Sequence, residues 1–181
     1  MKPFTRCEPL SLSQTAIIAD KLCHSFPFFD PIRLERRLET LEHSRNRAFF
    51  CSIMAACALA SARLRDGALP LSQRGSEDAA VMSPELFFAA AEEALPTNIL
   101  PCRDFDCLRG YALLALASLQ DVKIRAMQMY IGHYFTMLAI NRWHDEWNWP
   151  EDMDASEKEE RRRLVSQHMQ LQVQMSPCAK S

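Results

Sequence analysis

Apolar residues recur at helical spacing along most of this chain, interrupted at proline and at short polar clusters. Ile17, Ile18, Ala19 and Leu22 form one face of a helix predicted to start near Leu12, and Pro27 within Phe26-Pro27-Phe28-Phe29 should end it. Asp30-Pro31 predicts a restart, with Asp30 as N-cap and Pro31 at the first helical position. Beyond it Ile32, Leu34, Leu38 and Leu41 are expected to face inward. Arg33, Glu35, Arg36, Arg37, Glu39 and Glu42 should form the solvated face. A second helix is predicted from Arg47 to about Arg65, and the polar stretch from Asp66 to Ser83 reads as a long exposed loop. Ser83-Pro84 starts the next helix, carrying Phe87, Phe88, Ala91 and Leu95 until Pro96. The connection Thr97 to Arg103 leads to a helix from about Phe105 to Gln120. Another, about Lys123 to Trp143, has Ile124, Met127, Ile131, Tyr134 and Leu138 as its core stripe, and the two should form an antiparallel hairpin. Ser156-x-x-Glu159 reads as a capping box, so a last helix should begin at Glu157, with residues 165–181 a divergent tail that frays.

Composition narrows the fold class. Ala and Leu together supply 43 residues and Val, Ile and Thr only 17, a helix-forming bias. An all-α fold follows, an irregular bundle or an array of antiparallel helix pairs. The 181 residues suit one domain, and they include four glycines, roughly 2% where about 7% is usual. Without a G-x-G-x-x-G or a G-x-x-x-x-G-K-[ST], nucleotide-binding Rossmann and P-loop readings are excluded.

Charge changes the picture less. Against 21 Lys and Arg stand 23 Asp and Glu, a formal net charge of −2, which offers no broad positive field for nucleic acid. The uncharged run from Ala48 to Ala62 is too short and alanine-rich to span a bilayer comfortably, and reads as a buried helix. Seven cysteines with no secretory signal at the N-terminus suggest reduced thiols.

Candidate chemistry is sparse. Cys51 and Cys57 lie in the apolar helix, where they read as small packing residues. Cys102 and Cys107 lack a second pair or a nearby histidine to complete a zinc site. His144-Asp145 has the form of a metal-holding pair in a helical phosphohydrolase, but the reaction needs more ligands, and Trp143, Trp147 and Trp149 around it suggest packing. Arg161-Arg162-Arg163 is the one compact basic run. Glu157, Glu159 and Glu160 stand about one turn before it and can pair with it, leaving a nuclear-import or phosphate-binding role as the alternative.

From Phe105 to Leu164 the chain resembles the regulatory middle homology region of fungal zinc-cluster (Zn2Cys6) transcription factors. The resemblance is carried by Asp104-Phe105-Asp106, Leu113-Leu114-Ala115-Leu116 and Met129-Tyr130-Ile131-Gly132-His133-Tyr134. Its most specific residues are His144, Asp145, Glu146, Trp149 and Pro150, followed by Glu159, Glu160, Arg161, Arg162 and Arg163. Phe26-Pro27-Phe28-Phe29-Asp30, Ala55 to Arg63 and Phe87 to Glu92 extend it upstream, so it covers about Leu12 to Leu164.

The resemblance implies residues 1–164 as a partial regulatory domain, working in the nucleus by protein contacts in the control of gene expression, in the manner of regulators of metabolic gene clusters. It implies no catalytic, cofactor-binding or metal-ligating residue here. In that family zinc sits in a six-cysteine DNA-reading module, and no C-x2-C-x6-C spacing is present, so direct sequence-specific DNA binding and a membrane role are not expected. Family members continue past this point with Phe-Trp and further helices, where this chain has Val165-Ser166-Gln167-His168, so a truncated domain is expected. Its last two helices should then leave apolar surface for a protein partner, either a zinc-cluster factor or a second copy. Gly132 is expected to face a neighbouring helix. The alternatives are a small metal-dependent hydrolase using His144 and Asp145, and a helical adaptor without a transcriptional role.

Overall fold

The computed structural model describes residues 28–67 and 83–174, with side chains to Ser166. The predicted helix near Leu12, its stop at Pro27 and most of the 66–83 connection lie outside the described residues. Six α-helices are described, with no strand among the described residues: α1 (Pro31–Glu39), α2 (Arg47–Arg65), α3 (Pro84–Ala94), α4 (Phe105–Gln120), α5 (Ile124–Ile140) and α6 (Ala155–Gln174). The fold is all-α.

Local chemistry sets most boundaries. Asp30 accepts the Arg33 N–H at 2.9 Å and Pro31 opens α1. Asn46 caps α2 through the Phe49 N–H, and Asp104 caps α4 through the Asp106 N–H. At α6 the cap is Asp154, which accepts the Glu157 N–H at 2.7 Å, so the helix begins at Ala155 and the expected Ser156 capping box is not used. Asp154 wins because a carboxylate at the N-cap also meets the positive end of the helix dipole. The helix then continues to Gln174, through the first part of the segment expected to fray.

The centre of the molecule is α2 against α4. Almost every α2 side chain from Ala48 to Ala62 is buried, because Ser52, Ala55, Ala56, Ala58, Ser61 and Ala62 are small enough to let α3 and α4 close in on different sides. Its length and composition would allow a membrane crossing, but 78% of that window is buried inside the fold. Gly110 makes the closest approach: a Cβ there would lie 2.8 Å from the Cys51 Sγ. The expected hairpin is α4 and α5, joined by residues 121–123 and packed together. Tyr134 of α5 donates its hydroxyl to the Leu164 carbonyl at 3.2 Å, tying α6 to the hairpin.

Several faces turn out differently from the sequence expectation. On α1 only Leu34 and Leu38 are buried; Ile32 is 78% exposed, and Leu41 lies half out beyond the helix end at φ 52°. The α5 stripe is Met127, Tyr130, Tyr134, Met137 and Leu138, whereas Ile124 is exposed and Ile131 half-buried. Large aromatic side chains reach the core from that register, and the hairpin's short turn sets the rotation of α5. That helix also stops at Ile140, short of Trp143, because Arg142 adopts φ 53° and lets the Trp143 N–H bond back to Leu138. Gly132 faces away from the fold with nothing within 4 Å of its Cβ position, contrary to the expected helix contact.

Candidate functional site

The segments His144–Pro150 and Glu159–Arg163 gather where the turn after α5 meets α6. His144 is exposed. Asp145 caps a short 3-10 turn (Glu146–Asn148), accepting the Trp147 N–H at 3.2 Å and the Asn148 amide at 2.5 Å, and pairs with Arg142 at 3.4 Å. Its carboxylate is thus occupied by the turn. Arg162 from α6 grips Glu146 with two hydrogen bonds of 2.8 and 2.6 Å. Trp149 is buried and donates its indole N–H to the Trp143 carbonyl at 3.0 Å, while Pro150 is exposed. Between them Trp147 is 97% exposed.

The Arg161–Arg163 run is ion-paired. Arg161 meets Glu157 at 3.0 Å and lies over the rings of Phe105 and Trp149; Arg163 meets Glu159 at 2.9 Å. Both carboxylates sit four residues earlier, as the i,i+4 reading anticipates. Glu160 instead points inward, accepting from the Arg109 guanidinium at 3.2 Å and from the Asp30 backbone N–H.

Glu160 belongs to a charged network that joins α1, α4 and α6. Arg109, only 2% exposed, bonds Asp106 and Glu160 and stacks over the Phe29 ring at 4.6 Å. Asp106 also takes Arg37 at 2.5 Å, and Arg37 reaches Glu42 at 2.7 and 2.9 Å while lying over Phe49. Arg33 pairs with Glu157 at 3.2 Å. Burial opposes the Arg37 charge, but hydrogen bonds and charge from Glu42 and Asp106 outweigh it and hold its pKa above the ordinary value. The hydrogen bond from Arg37 in turn keeps the Glu42 carboxyl below the usual range. Arg33, Arg37 and Glu42, expected on a solvated face, are partners in this network.

Sequence reading missed Asp106 and Arg109 as network residues. The signal was available: they are the only charges in α4, whose other positions are too apolar to leave a wet face, so both had to find buried partners.

A cleft of about 640 Å³ opens between the start of α2, the end of α3 and the start of α4, lined in part by Arg45, Arg47, Pro96, Asp104 and Cys107. Arg47 spans it to the carbonyls of Glu93 and Ala94. Burial, then the charge of Asp106, raises the Asp104 carboxyl pKa; burial and a hydrogen bond with Cys102 raise that of the Cys107 thiol. Burial pushes the Cys51 thiol up to about 12, which makes it a packing residue rather than a nucleophile. Among the described residues no group of three or more His, Cys, Asp or Glu is arranged to hold a metal ion. Comparison with family models, curated proteins and solved structures finds no match to this chain.

Proposed function

We propose that this chain is a regulator of gene expression that works by protein contact, resembling the middle region of fungal zinc-cluster factors. The observation that carries the reading is Trp147. Among the described residues it is the most exposed large apolar side chain, it stands within the block that carries the resemblance, and the Asp145 cap and the Glu146–Arg162 pair hold its turn in place. Tryptophan presented on a fixed turn suits a protein-interface anchor, since it offers large apolar area with little side-chain freedom to lose. The charged residues around it are engaged within the fold, which supports a scaffold role for His144–Arg163 over a metal-hydrolase role for His144 and Asp145. The partner proposed is a nuclear protein bearing a six-cysteine zinc cluster. In fungal cells, the tagged chain should concentrate in nuclei and crosslink to such a protein, and Trp147→Ala should remove the crosslink while leaving the circular dichroism spectrum unchanged. Cytosolic residence, or a crosslink indifferent to Trp147→Ala, overturns the proposal.

A further inference from the structure

Two thiols meet where the chain enters α4. Cys102 and Cys107 are both free cysteines, and the Cys107 thiol hydrogen-bonds to Cys102. Only Arg103 and the N-cap Asp104 separate Cys102 from the helix, and the Cys107 N–H bonds back to the Asp104 carbonyl at 3.2 Å, so the first turn of α4 folds residue 107 toward the connection that precedes it. Cys107 is fixed in that turn and lines the cleft, while Cys102 is half-buried. Around Cys102 the connection lies at the surface, with Thr97, Asn98, Leu100, Pro101 and Arg103 exposed. It is held by the Cys102 N–H to the Ile99 carbonyl at 3.1 Å and by the Asn141 amide on the Cys102 carbonyl at 3.2 Å. One sulfur is therefore fixed on a helix and the other rides on a surface connection, so closing the thiol contact to the about 2 Å of a disulfide asks only the connection to shift. Cys51 is no competitor: it is fully buried and its Sγ is turned to the Ala91 carbonyl at 3.3 Å.

We propose that Cys102 and Cys107 form a reversible disulfide site, oxidised by a small disulfide of the glutathione class, and that the bond clamps the connection after α3 onto the first turn of α4. Cys102 is the more exposed thiol and reacts first. Its thiolate attacks the small disulfide; one sulfur stays on Cys102 and the other leaves as a thiolate, which takes a proton from solvent. Burial and the hydrogen bond with Cys102 both raise the Cys107 pKa, and capture of the Cys102 sulfur in the mixed disulfide removes the second cause. Cys107 then gives its proton to solvent, its sulfur attacks the Cys102 Sγ, and the second small thiol is released. In sum the two protein thiols lose two electrons and two protons, and the small disulfide is reduced to two thiols. Excess thiol runs the same steps backward. The bond closes a loop of six residues from Cys102 to Cys107, and it holds a connection that otherwise has few ties to the fold.

Peptide mapping of the whole chain reads the bond directly, because Arg103 lies between the two cysteines and trypsin cuts after it. A Cys102–Cys107 disulfide therefore joins the tryptic peptides 75–103 and 104–109. The native chain is equilibrated in glutathione buffers of rising disulfide-to-thiol ratio, its free thiols are alkylated, and the digest is read by mass spectrometry. The joined pair should appear as the ratio rises and disappear in excess thiol. Cys107→Ser should leave glutathione trapped on Cys102, whereas Cys102→Ser should leave Cys107 unmodified. Tryptic cleavage of the folded chain after Arg103 should slow about tenfold or more on oxidation, since cleavage requires the connection to open locally. Both thiols alkylated at every ratio, a bond that forms only in urea, Cys102 joined to a different cysteine, or an Arg103 cleavage rate indifferent to oxidation overturns the proposal.

Discussion

A methyl group added at Gly110 would sit 2.8 Å from the Sγ of Cys51, which is fully buried and bonded to the Ala91 carbonyl. Gly110→Ala should therefore destabilise the fold by about 1–3 kcal/mol, and Cys51→Ala in the same chain should recover part of the loss, as a double-mutant cycle of thermal melts would show. Past α2 a left-handed glycine, Gly67 at φ 75°, follows the cap, but other helix ends do without one. Leu41, Val122 and Arg142 all adopt left-handed backbone just past α1, α4 and α5, where glycine is the usual choice. The Val122 N–H bonds to the Leu119 carbonyl and the Lys123 N–H to that of Ser118, so the terminating turn is intact despite its β-branched residue. Val122 is 76% exposed, and replacing it removes strain without opening a cavity. Val122→Gly should raise stability by about 1 kcal/mol, measured by urea unfolding; a loss would mean that the valine packs in a way its exposure hides.

Among elements, α1, α4 and α6 meet at the buried Glu160 carboxylate, which accepts from Arg109 and from the Asp30 N–H. Glu160→Ala would leave Arg109 short of one of its two acidic partners at 2% exposure, and the expected cost is about 3 kcal/mol. Replacing Arg109 and Glu160 together by methionine should recover much of that, because the penalty comes from the stranded charge. Unfolding free energies of the single and double variants check this; equal losses in both would show that the ion pair itself, rather than its desolvated remnant, supplies the stability. This network also marks where sequence reading at element scale runs out. The starts of α1 and α3 were legible because caps and prolines act within a few residues of the chain. The inward turn of Glu160, beside Glu157 and Glu159 that pair locally, was not, since its partner Arg109 is 51 residues away.

Across the whole molecule, stability should fall on the acid side of neutrality. Hydrogen bonds from Arg37, from Arg65 and from Arg162 hold Glu42, Asp66 and Asp121, and Glu146 below the usual carboxylate range. Each is ionised more easily folded than unfolded, so its stabilisation is present above about pH 4 and is lost as pH falls through the lower folded value. Burial lowers the His43 pKa, so the unfolded chain takes that proton first as pH drops below about 6.5, in the same direction. Among the described carboxylates Asp104 opposes this, its raised pKa favouring the folded state as the carboxyl protonates. The melting temperature should be nearly level from pH 8 to 6.5, decline gently to pH 5 and fall steeply below 4. Scanning calorimetry across that range tests it, and a melting temperature at pH 3 equal to that at pH 7 would contradict it.

Helix propensity, capping residues and proline act locally, and they suffice to make the chain all-α, to start α1 at Asp30-Pro31, to bound α2 at Arg47 and Arg65, and to pair α4 with α5. Packing between distant segments decided the remainder. It chose Asp154 over Ser156 as the start of α6, rotated α5 so that Tyr130 is buried and Ile124 exposed, gave the close helix approach to Gly110 and left Gly132 bare. Which face of a helix is covered depends on where the other helices stand, and no interval along a single helix encodes that.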